Sequence, residues 1–193
     1  MENSKIIRAV YNNESIRVYQ AYNEIIATEA IRNGTFGKSF KRDRMTWIKP
    51  SFLWMMYRCG WASKENQEYV LAIDMKREAF DHLVNNAVIS KYDEKIHGSY
   101  EEWKMKIHNS DIRVQWDPER DIYGNPLEYR SIQIGIRGHA VERYVNEWIV
   151  SITDITAYVK ELRKRIIEKQ DIWELIPAEK EYQVKRKSSK ERN

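Results

Sequence analysis

Arginine and aromatic residues are concentrated where the predicted strands end, and these two residue types together could bind a phosphorylated ligand. An arginine guanidinium can bind two phosphate oxygens at once, and an aromatic face stacks on a base. This chemistry favours a cleft for a nucleotide or a nucleic-acid phosphate. The set comprises Arg8, Tyr11, Arg17, Tyr19, Gln20, Tyr22, Arg44, Thr46, Trp47, Lys49, Ser51, Trp116, Glu119, Arg120, Arg130 and Gln133. In the alternative interpretation the rings fill the core and the arginines pair with Asp43, Asp117, Glu119 and Asp121.

Four cations of this set stand in separated segments of the chain, each beside apolar residues that need burial. We predict that at least two of them converge on one anion-accepting concavity, with a tryptophan as a wall. Neighbouring cations repel each other and lose hydration, so such convergence points to ligand binding more than to stability. The four cations are Arg8, Arg44, Lys49 and Arg120, and the candidate walls are Trp47 and Trp116.

Motifs for other chemistries are weak. The four histidines include no pair at a spacing of three or four residues, so no metal site is expected. The segment Gly34–Ser39 resembles a phosphate-binding loop, but Arg32 stands where that motif needs a glycine, and the segment follows a predicted helix. Cys59 is the lone cysteine, and its apolar neighbours favour an inert, buried thiol.

The stretch from Arg44 to Trp61 is predicted to lie at the centre of the molecule, because it contains three of the seven tryptophans and the cysteine. Lys49-Pro50 is predicted to begin a helix and Gly60 to end it. The residues between them leave no polar stripe, so this helix should be buried on nearly every side. The cations within the stretch must then pair with buried carboxylates or line a pocket for an anion.

The remaining patterns predict an α+β fold, because strands and helices do not alternate regularly as in a doubly wound sheet. We expect a single domain with a mostly antiparallel sheet wrapped by helices, one buried central helix and two C-terminal helices. The strands are predicted at 5–11 and 15–22 as a hairpin, at 68–76, and at 111–116 and 129–136 as an antiparallel pair that Pro118 ends. The other helices are predicted at 24–32, with Ile25, Ile26, Ala30 and Ile31 inward, at 77–87, after Ser99, from His139 to Ile152, and after Asp154.

Composition places the chain among cytoplasmic proteins without a membrane segment. No apolar run approaches the roughly 20 residues that span a bilayer, and the first residues lack the apolar region of a signal peptide. The 193 residues carry a net charge of +4. Much of this charge lies near the end of the chain, so we predict a globular domain over 1–176 and a basic, disordered tail over 177–193.

Five segments closely resemble the domain-of-unknown-function 4291 family of bacteria and fungi, in an order that spans about residues 6 to 167. The segments are residues 7–11, 18–22, 44–58, 114–120 and 129–135, which read IRAVY, VYQAY, RMTWIKPSFLWMMYR, VQWDPER and YRSIQIG. The name of the family implies no activity, so the resemblance leaves the function open.

A second, fold-level likeness is to the opening of ADP-ribosyltransferase-type domains. It rests on the segment from Tyr19 to Tyr22, the helix that ends at Gly34, and the basic loop that follows. The likeness implies NAD as a cofactor, with Arg8 or Gln20 as the first-strand residue and Thr46 as the middle-strand residue. The late glutamate of those enzymes is in question, because the late strand offers Gln133 and glutamate occurs only earlier, at Glu119 and Glu128.

Two other classes of function stay open. The same cleft could belong to a non-catalytic module that binds RNA or a nucleotide, with the tail adding phosphate contacts. Alternatively, the C-terminal helices could make the protein an interaction module for other proteins. The sequence does not name a substrate, a partner or an oligomeric state.

Overall fold

The computed structural model describes residues 4–186 and contains three β-sheets, in which every pair of neighbouring strands but one is antiparallel. Single bridges, among them Tyr19 with Lys49, link segments outside these pairs. The first sheet has the order β2-β4-β8, with β2 at Ser15–Tyr22, β4 at Tyr69–Lys76 and β8 at Ile149–Asp154. β4 is the middle strand, and it is rich in Val, Leu, Ala and Ile that are buried on both faces. This sheet forms one wall of the main hydrophobic core.

The second sheet has four strands in the order β3-β7-β6-β5. The strands are β3 at Thr46–Ile48, β5 at Val88–Ile89, β6 at Ile112–Arg120 and β7 at Pro126–Ile136. The predicted antiparallel pairing of β6 with β7 is confirmed, and only the short β5 runs parallel to its neighbour. The two sheets meet where the Tyr19 backbone N–H donates to the Lys49 carbonyl oxygen over 2.7 Å. This joint places the end of β2 beside β3.

The predicted central helix is present as α2, which spans Phe52–Cys59. Ser51 caps it, because its side chain accepts a hydrogen bond from the Trp54 backbone N–H. Gly60 ends it in the left-handed conformation with φ of 59°. Five of its eight residues are buried, but Tyr57 and Arg58 are exposed. The helix is therefore buried on most sides and presents one strip outward.

The other helices surround the sheets, and their number and α+β order agree with the predicted fold class. Local capping signals account for several boundaries, since Asn23 and Ser99 cap helices through their side chains and Gly34 ends one with φ of 68°. The helices are α1 at Glu24–Asn33, α3 at Arg77–Asn86, α4 at Glu94–His97, α5 at Tyr100–Asn109, α6 at Gly138–Arg143 and α7 at Thr156–Ile167.

The inward face of α1 differs from the predicted one. Ala27 and Ala30 are buried, whereas Ile25 is 70% exposed and Ile31 is 37% exposed. The helix packs on β2, β4 and β8, and the small alanine side chains allow this close approach. The prediction that Ile25 and Ile31 point inward is therefore wrong.

Two strand predictions are also corrected. Pro118 does not end β6, because it pairs with Arg130 on β7, while β5 covers only Arg113 and Val114 on the opposite edge of β6. A proline tolerates this position since its missing N–H faces an unpaired edge. The helical pattern predicted from His139 to Ile152 stops in a π-helical turn at Tyr144–Trp148, and β8 follows, consistent with its β-branched residues.

The chain near its C-terminus packs on the domain instead of leaving it at residue 176. β9, at Lys180–Glu181, pairs with β1, at Arg8–Ala9. Tyr182 is buried, and its hydroxyl donates to Asp81 Oδ1 over 2.7 Å. The predicted first hairpin is present next to its turn: Tyr11 bridges Ile16, the Arg17 N–H donates to the Val10 carbonyl oxygen over 2.9 Å, and the Asn12 N–H donates to the Ser15 carbonyl oxygen over 3.0 Å. The part of the predicted tail over 187–193 lies outside the described residues.

No helix in the described range is both long enough and apolar enough to cross a membrane.

Candidate functional site

A cavity of about 280 Å³ lies at the joint between the two larger sheets, and we call it the β2–β3 pocket. β2 and β3 form its walls, the loop before β3 covers one side, and α2 contributes the floor. Its lining residues are Gln20, Ala21, Tyr22, Ile26, Phe40, Lys41, Arg44, Met45, Thr46, Trp47, Lys49, Met55, Arg58, Asn66 and Gln67.

The charge in this pocket is of one sign. Four cations line it, and the lining includes no carboxylate. Within residues 4–186 none of the four forms an ion pair, in contrast to Arg17, whose guanidinium binds Asp74 over 2.9 Å. The four unpaired cations are Lys41, Arg44, Lys49 and Arg58. The pocket therefore attracts anions.

Lys49 is the buried member of these four cations, with 6% of its surface exposed. Its ammonium group donates to the Trp47 carbonyl oxygen over 3.3 Å and lies 5.4 Å from the centroid of the Trp54 ring. Burial, reinforced by the charge of Arg58, lowers the pKa of Lys49 to about 7. Near neutral pH the amine thus exchanges between charged and uncharged forms.

A network of neutral polar groups forms the wall next to these cations. The Gln20 amide nitrogen donates to the Tyr22 hydroxyl and the Thr46 hydroxyl, each over 2.8 Å. The Tyr144 hydroxyl donates to Gln20 Oε1 over 2.9 Å, which fixes the orientation of the amide. Burial raises the pKa of both Tyr22 and Tyr144, so both phenols remain neutral. Gln20 is therefore held in place by its neighbours and is a positioning residue for Tyr22 and Thr46.

The hydrogens of this network leave one donor for a ligand. The Gln20 amide nitrogen lies within hydrogen-bonding distance of both hydroxyl oxygens and, over 3.2 Å, of the Trp47 carbonyl oxygen, and the two hydroxyl oxygens lie 3.1 Å apart. If one hydroxyl donates to the other, the second keeps a hydrogen with no acceptor in the network. Tyr22 and Thr46 both line the pocket, so this hydrogen is available to a bound molecule.

The Trp47 ring of β3 packs against the neighbouring strand β7, where Trp47 is paired with Gly135. A Cβ atom at Gly135 would lie 3.0 Å from the indole ring and 2.7 Å from Met45 Sδ. Glycine at this position of β7 thus permits the close approach of the ring, which borders the pocket.

Six of the residues predicted from the sequence meet in this pocket, and five lie elsewhere. The six are Gln20, Tyr22, Arg44, Thr46, Trp47 and Lys49. Arg8 and Glu119 line a separate cavity of about 180 Å³, together with Glu179. There the Arg8 guanidinium donates to the Glu179 carbonyl oxygen over 2.8 Å, and burial raises the pKa of Glu119.

The three other predicted residues also lie outside the pocket. Trp116 lines a cavity of about 720 Å³ next to α4. Gln133 donates to Asp117 Oδ2 over 2.7 Å, so its amide is occupied by a carboxylate. The Arg120 guanidinium lies 4.1 Å from the centroid of the exposed Tyr57 ring. None of the three lines the β2–β3 pocket.

A neighbouring cavity of about 430 Å³ extends the β2–β3 pocket along α1. The two cavities share Tyr22, Ile26, Lys41, Arg44 and Asn66. A ligand longer than one nucleotide could therefore continue from the cation-lined part into this extension.

Tyr144 is a member of the hydrogen-bond network that the sequence did not indicate. It reaches Gln20 from the π-helical turn, 124 residues away in the chain. π-Helical turns often occur at functional sites, but no local sequence pattern predicted this one.

These observations define an α+β protein whose antiparallel sheets meet at a cationic pocket. The chain belongs to the family described as Domain of unknown function (DUF4291), which it matches over residues 6–182. No curated protein shows a significant match to the chain. The family carries no named activity, and the likeness to ADP-ribosyltransferase-type domains stays a prediction. Within the described part of the chain, no group of three His, Cys, Asp or Glu side chains is placed to hold a metal ion.

Proposed function

We propose that the β2–β3 pocket binds the phosphate of a nucleotide, or of a nucleotide unit in RNA, in the cytoplasm. The observation that carries the proposal is the convergence of four cations on one cavity without a lining carboxylate. Like charges repel, and burial removes hydration from Lys49, so the arrangement costs free energy until an anion binds. Arg44, with its planar guanidinium, is suited to two oxygens of one phosphate.

The other groups of the pocket suit the rest of a nucleotide. Trp47 offers a half-buried aromatic ring on which a base can stack. The free hydroxyl hydrogen of the Tyr22–Thr46 pair offers a neutral donor to a ribose or phosphate oxygen. Asn66 and Gln67 add amide groups at the edge.

The size of the pocket favours a small ligand. Ligand pockets commonly measure roughly 300–1,000 Å³, and the β2–β3 pocket is just below this range with about 280 Å³. A mononucleotide suits this volume better than a whole NAD molecule. A dinucleotide or a short RNA would need the adjoining cavity along α1.

The second candidate function is NAD-dependent transfer of ADP-ribose. It is favoured by the contact of Gln20 with Thr46, because the likeness to ADP-ribosyltransferase-type domains assigns roles to these two positions. Such a reaction needs a carboxylate to stabilise the developing positive charge on the ribose. Glu119 lies in another cavity and Gln133 is bound to Asp117. The geometry therefore supports the non-catalytic function better.

Calorimetric titration of the wild-type protein with AMP, ADP, ADP-ribose, NAD and a short single-stranded RNA tests the proposal. We expect binding of at least one phosphorylated ligand, with an affinity that falls as salt is added. Release of nicotinamide from NAD is measured in the same samples. Binding without nicotinamide release supports the non-catalytic function, nicotinamide release supports the transferase, and the absence of any binding refutes both.

A further inference from the structure

Lys49 differs from the other three cations of the β2–β3 pocket in that its amine is removed from water. The side chain reaches the cavity from the end of β3, between the Trp54 ring and the Trp47 carbonyl oxygen. Within residues 4–186 no carboxylate forms an ion pair with it. A site built only to hold phosphate would be better served by arginine, which stays charged when buried.

The charged and titratable groups around Lys49 come from two elements. Arg58 and the buried thiol of Cys59 belong to α2, and Asp117 belongs to β6. Desolvation is the largest influence and disfavours the ammonium form, and Arg58 acts in the same direction. Cys59 and Asp117 favour the ammonium form, but their influence is smaller. About half of the amine is consequently neutral near pH 7, compared with roughly one molecule in three thousand for an ordinary lysine. The neutral amine is a nucleophile, and the ammonium ion is not.

We propose that Lys49 forms an imine with a phosphorylated aldehyde or ketone that binds in the β2–β3 pocket. The inference rests on the proposed function, because Arg44, Lys41 and Arg58 would hold the phosphate of this ligand. The substrate class is thus a phosphate ester with an accessible carbonyl group, such as a sugar phosphate or a nucleotide derivative in its open-chain form.

The covalent step balances without an oxidant or a reductant. The lone pair of the Lys49 amine attacks the carbonyl carbon, and the carbonyl oxygen takes up a proton to give a carbinolamine. The carbinolamine then loses its hydroxyl group as the C–O bond breaks and the C=N bond forms. Over the two stages the nitrogen gives up both of its hydrogens, and they leave with the former carbonyl oxygen as one water through the open side of the pocket. The free hydrogen of the Tyr22–Thr46 pair can donate to the carbonyl oxygen and make its carbon more electrophilic.

Pyridoxal 5′-phosphate is a suitable probe, because it carries an aldehyde and a phosphate in one small molecule. The full chain is incubated with the probe at pH 7, reduced with borohydride, digested and analysed by mass spectrometry. We expect modification to be concentrated at Lys49 and to be faster than at an ordinary exposed lysine by up to about 1,000-fold, the ratio of their neutral fractions at pH 7. Lys160, which is exposed on α7 outside the pocket, serves as the reference within each spectrum.

Three controls separate the reactive amine from the phosphate site. Pyridoxal without phosphate should modify Lys49 at least tenfold more slowly than the phosphorylated probe. The variant Arg44→Ala should slow the reaction of the phosphorylated probe but leave that of pyridoxal nearly unchanged. Labelling of Lys49 should rise with pH to half of its maximum near pH 7, where the pKa of its amine lies.

The outcomes distinguish the imine from the proposed function. Selective, phosphate-dependent labelling of Lys49 supports both. If nucleotides bind but Lys49 is labelled no faster than Lys160 and other exposed lysines at pH 7, the imine inference is overturned and nucleotide binding stands. If Lys49 is labelled equally fast with and without the phosphate, the inference of a phosphorylated substrate is overturned together with the phosphate site. If nucleotides do not bind and Lys49 is not labelled selectively, both proposals are refuted.

Discussion

Replacing Lys49 by methionine should stabilise the protein, because it removes an amine that is buried without an ionic partner. Methionine has a similar volume and leaves the contact with the Trp54 ring in place. The substitution removes one hydrogen bond of 3.3 Å to the Trp47 carbonyl oxygen. The gain should therefore depend on the charge of the amine in the folded and the unfolded chain.

The pKa of Lys49 gives the size and the sign of this effect. Its pKa falls from 10.5 to about 7 on folding, which corresponds to about 5 kcal/mol when both states carry the proton. Loss of the hydrogen bond offsets about 1 kcal/mol, so we expect a gain of about 2–4 kcal/mol at pH 6 after relaxation around the charge. Between pH 7 and 10.5 the unfolded chain holds a proton that the folded chain has lost. The free energy of unfolding of the wild type therefore rises from pH 7 to 10.5 through this group. The difference in stability between Lys49→Met and the wild type shrinks by the same amount.

Urea unfolding of the wild type and of Lys49→Met at pH 6 and at pH 10 measures this difference. Comparison at equal pH cancels the titration of all other groups that the two proteins share. Lys160→Met, on the exposed face of α7, is the matched control and should change the free energy of unfolding by less than about 0.5 kcal/mol at both values. A variant that is less stable than the wild type at pH 6, or whose advantage persists unchanged at pH 10, refutes a buried and unpaired amine.

Three further predictions concern other parts of the structure. Burial raises the pKa of Glu179 to about 8, so its contribution to stability falls as pH rises from about 4.3 to 8; Glu179→Gln should abolish this fall in urea titrations, and an unchanged pH profile would contradict it. Gly135→Ala would place a methyl group 3.0 Å from the Trp47 ring and 2.7 Å from Met45 Sδ, and we expect at least about a tenfold loss of nucleotide affinity from displacement of the ring, whereas unchanged affinity would show that the ring is not part of the site. Trp54→Ala should destabilise the protein by about 3–5 kcal/mol through the cavity it leaves, since Trp54 is buried in α2; a loss below about 1 kcal/mol with the helix intact would argue against its central position.

Local signals made the helices predictable from the sequence. The caps at Asn23 and Ser99 and the left-handed glycines Gly34 and Gly60 act within four residues of a helix end, and each lies where the sequence placed a boundary. The β6–β7 pair was equally accessible, since both strands lie close in sequence and have alternating apolar residues.

Long-range pairing was the part that the sequence could not predict. β8 continues a helical apolar pattern and becomes a strand only because β4 offers an edge for it. β9 contains two charged residues and gains its place from the pairing with β1 and from the burial of Tyr182. These contacts depend on partners more than seventy residues away, which local propensity does not record.

The difference between local signals and long-range pairing also explains which of the predicted site residues meet in the β2–β3 pocket. Arg44, Thr46, Trp47 and Lys49 lie within six residues, and a single bridge between Tyr19 and Lys49 brings Gln20 and Tyr22 to them. Arg8 and Glu119 have the same chemical character, but the pairing of β1 with β9 and the course of β6 place them in another cavity. Residue type identified the candidates, and sheet topology selected among them.

Calorimetric titration of ADP into the wild type, Arg44→Ala and Arg42→Ala tests the cationic pocket most directly. Arg42 lies two residues away but forms an ion pair with Glu142 over 2.6 Å, so it controls for the loss of a basic residue from the same segment. We expect Arg44→Ala to weaken binding by about 10- to 100-fold, as for the loss of a charge-assisted hydrogen bond of about 1.5–3 kcal/mol, and Arg42→Ala to change it by less than about threefold. Equal affinities for the wild type and Arg44→Ala would contradict the assignment of the β2–β3 pocket as the nucleotide phosphate site.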